Sequence, residues 1–318
     1  MLRNKRVVAF IIALVAITFI VTGCSQTTVG PAVDTTKFAN PDMLIEVDAL
    51  TALLEDPNVV ILDIRDPKKY LLGHIKGAQN VWRPDISAPK VVDIVPGRDL
   101  SGMTCDQAQW EELLGKLGIS NDTQVVVYDD NGLYDSARLY WQFYGYGHEN
   151  MQVLNGGFDV WKAKGGATEL GTSPTVEAKT YKAKAFDTST LATLDEVKAA
   201  IDNPDYVIID TRELKEWTGE DLKSGAYRKG RIPSAVFINW KETLNEDETV
   251  KSKADLEKLL ADAGVSKDKT IIPYCQSGVR SANLWFTLNL LGYENVKNFD
   301  GSWIEWSIYD DLPLVTGE

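Results

Sequence analysis

The chain is punctuated by short, mostly apolar runs that end in a polar or aromatic residue. Val59 to Asp63, Gln124 to Tyr128, Val207 to Asp210 and Thr270 to Tyr274 are of this kind. Such runs, without alternation, predict parallel strands buried on both faces. Elsewhere the spacing changes. Trp110 to Leu117, Leu191 to Ala200 and Ala254 to Ala263 carry apolar residues three and four apart, as on one face of a helix. Gly118 and Gly264 follow two of these segments and suit left-handed C-terminal caps. Strands alternating with helices predict an α/β fold with parallel sheets flanked by helices.

The pattern occurs twice. Asn58 to Arg65 resembles Asp205 to Arg212, and Gly73 to Ala78 resembles Gly230 to Ala235. Gly147 to Asn150 matches Gly292 to Asn295, and Gly157 to Trp161 pairs with Ser302 to Trp306. A duplicated unit therefore spans residues 43–165 and 191–318. The stretch 166–190 is polar and lacks helical periodicity, so it reads as a linker. The first copy carries extra residues around Pro84 to Gln109, and the second around Thr218 to Arg228.

The N-terminus has a different pattern. Arg3, Lys5 and Arg6 precede an almost wholly apolar run from Val7 to Thr22, followed by Gly23-Cys24. A basic start, a short apolar segment and small residues predict a signal peptide over residues 1–23. The run is short for a spanning helix. Cys24 directly after Gly23 resembles a bacterial lipobox, which implies lipidation of Cys24 and a membrane-anchored, extracytoplasmic protein. Residues 24–42, rich in Thr, Pro, Gly and Ala, read as a flexible tether.

Composition narrows the chemistry. The 318 residues suffice for two domains, and a net charge of −13 argues against nucleic-acid binding. Three cysteines, Cys24, Cys105 and Cys275, are too few for a disulfide framework. The two histidines, His74 and His148, both lie in the first copy. A Cys/His metal cluster is not expected, and the second copy cannot hold a histidine-based triad.

The strongest candidate is the junction after Thr270 to Tyr274. There Cys275-Gln276-Ser277-Gly278-Val279-Arg280-Ser281 leads into an apolar helix at Asn283 to Leu291. Loops at the carboxyl edge of parallel strands form ligand crevices. Inward-turned amides and a helix start make such a loop an anion nest, and both lower a thiol pKa. The thiolate can then act as a nucleophile without a histidine base. Gly278 permits the tight loop, and Arg280 offers a guanidinium fork to an anion.

These pieces resemble the rhodanese family of thiosulfate sulfurtransferases. The resemblance is carried by Asp210-x-Arg212, Gly230 to Ala235, Tyr274 to Ser281 and Asp300-Gly301-Ser302-Trp303-x-x-Trp306, and covers both halves from about Met43 to Pro313. It implies two tandem rhodanese-like domains and a persulfide on Cys275, taken from a donor such as thiosulfate and passed to cyanide or a thiol, without a cofactor. It also implies that Gln276, Ser277, Gly278, Val279, Arg280 and Arg231 bind substrate, with Asp210 and Arg212 supporting the loop. In the first copy Asp129 stands where Cys275 stands, and a carboxylate cannot carry sulfur, so that copy is expected to be inactive. Three rivals stay open. A phosphatase on this fold has a Cys-x5-Arg loop, one residue longer than Cys275-x4-Arg280. A mercaptopyruvate enzyme tends to read Cys-Gly-Ser-Gly-Val-Thr. A non-catalytic binding module would need no nucleophile.

Overall fold

A computed structural model describes residue 30 and residues 33–317. Cys24 and the expected signal peptide lie outside these residues. In the first unit the strands are β1 (Leu44–Ile45), β2 (Val59–Asp63), β3 (His74–Ile75), β4 (Gln79–Asn80), β5 (Val91–Val95), β6 (Arg98–Leu100), β7 (Gln124–Tyr128), β8 (Met151–Leu154) and β9 (Thr168–Glu169). Five of them form a parallel sheet in the order β1-β8-β7-β2-β4. The second unit contributes β10 (Leu191–Ala192), β11 (Tyr206–Asp210), β12 (Val236–Phe237), β13 (Thr270–Tyr274) and β14 (Asn298–Phe299). β12-β11-β13 and β10-β14 are joined by a parallel bridge between Ile271 and Val296. The order β10-β14-β13-β11-β12 thus repeats that of the first unit. Both central strands are apolar because helices cover both faces.

The helices are α1 (Val47–Leu53), α2 (Pro67–Leu72), α3 (Gln107–Lys116), α4 (Tyr134–Gly145), α5 (Gly157–Ala163), α6 (Leu194–Ala200), α7 (Leu214–Thr218), α8 (Lys253–Asp262), α9 (Arg280–Leu290) and α10 (Ser302–Ile308), and the two units pack through the equivalent α4 and α9. α9 is buried nearly all round, since one face meets its own sheet and the other meets α4. Tyr140 stands edge-on to Phe286 and Tyr144 to Trp285, with centroids 5.0 and 5.3 Å apart. One apolar cluster runs from Val127 and Trp141 of the first unit to Ile209, Leu284 and Phe286 of the second. The contact is also reciprocal in its polar groups. Asn283 Nδ2 donates to the Gly132 carbonyl at 3.2 Å, and Arg138 Nη1 donates to the Gly278 carbonyl at 3.4 Å. Each unit's helix thereby braces the other's loop.

Three expectations change. Phe38 is buried, and the amides of Ala39 and Asn40 donate to the Leu290 carbonyl at 3.1 and 3.2 Å. The last part of the supposed tether is therefore docked on the second unit. The stretch 166–190 is no free linker: Thr168–Glu169 pairs with β3, and the amides of Lys179, Lys184 and Asp187 donate to the carbonyls of Gly115, Tyr146 and Gly145. Leu191 belongs to a strand, and the helix starts at Leu194, capped by the Thr193 hydroxyl, which accepts from the Glu196 amide. The Pro84–Gln109 insertion contains the antiparallel β5-β6 hairpin, whose Leu100 packs against Ile304 and Ile308 of the second unit.

Candidate active site

Strand β13 ends at Tyr274, and Cys275 opens the loop into α9. Gly278 has φ +72°, and a Cβ there would sit 2.8 Å from both the carbonyl and a carboxylate oxygen of Asp300. No other residue fits that point. The loop is pinned from below by Ser302, whose hydroxyl accepts from the amides of Cys275 (3.1 Å) and Gly278 (2.9 Å) and donates to the Phe299 carbonyl. Asn298 Nδ2 donates to the Gly278 carbonyl at 2.9 Å.

Cys275 is only 1% exposed, yet it lines a cleft of about 500 Å³ between the units. Burial opposes its ionisation. The Arg280 charge, the amide and hydroxyl of Ser281 and the amide of Ser277 outweigh burial, so the thiol titrates below its ordinary value. The Ser281 hydroxyl lies 3.6 Å from the sulfur and 2.7 Å from Asn298 Oδ1. It has one proton, so it can serve the thiolate or the amide oxygen, but not both. Cys105 shows the contrast. Its own amide and the Arg138 charge favour ionisation too weakly, and its thiol is pushed up to about 12, first by burial and then by Asp106.

Gln276, Ser277, Val279 and Arg280 all reach the cleft. Arg280 is not a free fork: its Nη1 and Nη2 bond the two oxygens of buried Glu216 at 2.7 and 2.9 Å. Arg231 is elsewhere, which corrects its assignment to substrate. It stacks on Trp217 at 4.1 Å, donates to the carbonyls of Trp217 and Gly317, and its backbone pairs with Val315. His74 stacks on Tyr70 in the same way in the first unit, at 3.8 Å.

Asp210 and Arg212 form a buried pair, with Nε to Oδ1 at 2.9 Å and Nη2 to Oδ2 at 2.6 Å, completed by Tyr274 OH at 2.6 Å. The first unit repeats this with Asp63, Arg65 and Tyr128 at the same distances. A device present in both copies serves the fold they share.

In that first unit Asp129 occupies the equivalent loop. Its carboxylate accepts from the amides of Asn131, Leu133 and Ser136 and from the Ser136 hydroxyl, at 2.9–3.3 Å. The nest is thus filled by its own side chain. Burial, then the neighbouring Asp135, push Asp129 up to about 7 against these donors.

Comparison with known proteins decides the family. Residues 46–164 and 193–309 both match the rhodanese-like domain. The chain belongs to the rhodanese family. It is a sulfurtransferase, and rhodanese domains move sulfur through a cysteine persulfide. A Mycobacterium leprae protein named "Putative thiosulfate sulfurtransferase" is 37% identical over 88% of this chain and 99% of its own length. "Sulfur carrier protein TtuD" of Thermus thermophilus is 35% identical with the same coverage. The anaerobic ergothioneine biosynthesis enzyme from Chlorobium limicola has TM-score 0.76 and 23% identity, over 88% of this chain and 71% of that one, which speaks for the fold. As a tandem rhodanese, the molecule carries two loops of one design, one around a thiol and one around a carboxylate.

Sequence reasoning missed Arg83, Tyr134 and Trp240, which also line the cleft, and Glu216, which holds Arg280. Arg83 and Tyr134 come from the other unit, so no local motif marks them. Glu216 could have been sought as an acidic partner four residues beyond Arg212.

Proposed function

We propose that Cys275 is the sulfur carrier and that thiosulfate is its donor. The ionised Cys275 sulfur attacks the outer sulfur of thiosulfate. The S–S bond of the donor breaks, sulfite leaves with the electron pair, and Cys275 holds the persulfide. Cyanide or a thiol then takes the outer sulfur and the Cys275 thiolate returns. The observation that carries this reading is the buried thiol ringed by donors and a guanidinium, titrating low without a histidine. The same donors suit the negative charge of an approaching anion. The four-residue spacing between Cys275 and Arg280 favours sulfur over the wider phosphate loop. Thiosulfate is preferred over mercaptopyruvate because Arg280 adds charge where that subfamily tends to have Thr. The expected outcome is one added sulfur on the intact protein after thiosulfate, mapped to Cys275 by peptide mass, and kcat/KM for thiosulfate above that for mercaptopyruvate. Mass addition at Cys105, or none, would overturn it.

We also propose that the protein is a lipoprotein anchored outside the cytoplasm through Cys24. The support is the basic start, the apolar run and Gly23-Cys24. Fatty-acid label should enter the wild type in bacterial cells and be lost in Cys24→Ala.

A further inference from the structure

The cleft has a second arginine that comes from the inactive unit. Arg83 follows β4 in the first unit's insertion and lines the cleft together with Cys275 and Arg280. Its Nε and Nη2 both bond one oxygen of Asp135, which is buried at the start of α4. Among the described residues no bond occupies its Nη1, which keeps two N–H donors there. The other Asp135 oxygen accepts from Asn131 Nδ2 at 2.6 Å, so the carboxylate is held from the silent loop itself. Tyr134 lies under the guanidinium at 5.9 Å and is set edge-on against Trp240 of the second unit at 4.9 Å. The other cations of the cleft are more committed. Arg280 spends Nη1 and Nη2 on Glu216, and Lys223 pairs with Asp221 in solvent at 2.9 Å.

We infer that Arg83 is the specificity-determining cation of the cleft, binding the anionic end of the sulfur donor while Arg280 acts on the thiolate. This rests on Cys275 being the carrier but not on which donor loads it. The division of labour follows from the geometry. Arg280, at the start of α9 and fixed by Glu216, stabilises the sulfur. Arg83, held by Asp135 at the wall of the cleft, keeps Nη1 donors unbonded among the described residues for a sulfonate or carboxylate. The thiolate's field reaches Arg83, for burial works against its charge, and Asp135, Tyr134 and Cys275 together prevail and raise its basicity. In this reading the inactive copy contributes substrate selection. Its loop keeps an acidic residue, Asp135, to orient an arginine for the neighbouring site.

The test uses alkylation of Cys275 by two reagents of like size, anionic iodoacetate and neutral iodoacetamide. In Arg83→Gln the iodoacetate-to-iodoacetamide rate ratio should fall about five- to tenfold from the wild-type value, the effect of one lost charge contact. The iodoacetamide rate should fall less than the iodoacetate rate, since it reports the thiolate alone, and a cooperative melt excludes misfolding. Arg83→Lys should recover part of the ratio. In turnover with thiosulfate, KM should rise more than kcat falls. An unchanged ratio in a normally melting Arg83→Gln overturns the inference. Failure of the wild type to load from thiosulfate would count against the donor assignment alone, because the alkylation ratio does not depend on it.

Discussion

At Cys275, burial and ionisation oppose each other, and the outcome is readable in rates. Because the thiol titrates below its ordinary value, persulfide formation should already rise with pH below the free-thiol pKa of about 8.5. Arg280→Gln removes a charge that favours the thiolate, so the midpoint of that profile should move up. Stopped-flow loading across pH checks both. Cys275→Ser should abolish sulfur transfer with a normal melting curve. Gly278→Ala should cost at least about 2 kcal/mol, since it forces a side chain into the left-handed region and against Asp300, and a urea melt measures it. Asp129 tests the silent loop. Its folded pKa of about 7 lies above the unfolded value near 3.8, so the folded state holds a proton that the unfolded state has lost in between. Stability should therefore fall as pH rises from about 4 to 7, and Asp129→Asn should flatten that part of the curve.

Elements explain what the sequence showed and what it hid. The central strands were legible because doubly covered parallel strands are continuous apolar runs, and β2, β7 and β13 keep their expected limits. The Cys275 loop was legible because its residues are contiguous. Arg83 and Tyr134 were not, since they meet Cys275 only after α4 packs on α9. Arg231 misled for a related reason: sequence gives its place beside Gly230 but not the direction of its side chain, which goes to Trp217 and Gly317. The β5-β6 hairpin is held across the units by Leu100 against Ile304 and Ile308. Leu100→Ala should cost about 2–3 kcal/mol and make the hairpin the earliest site of limited proteolysis.

At the scale of the molecule, one apolar cluster of the described residues belongs to both units. Calorimetry should show a single cooperative transition, not two. A fragment of residues 191–318 alone would bare the α4-facing side of α9, including Trp285 and Phe286, and lose Arg83 and Tyr134. It should aggregate or show no sulfur transfer even with Cys275 intact.

The docking of Phe38 to Asn40 beside Leu290 has a mechanical consequence. With the proposed acyl group on Cys24, described chain is met six residues on at Gly30, whose amide donates to Asp247 at 2.7 Å, so the leash would be at most about 20 Å. That leash would be made fast on the second unit, at Asp247 and Leu290. The enzyme would hang by the unit that carries Cys275, close to the bilayer, and draw substrate from the thin layer of solution above it.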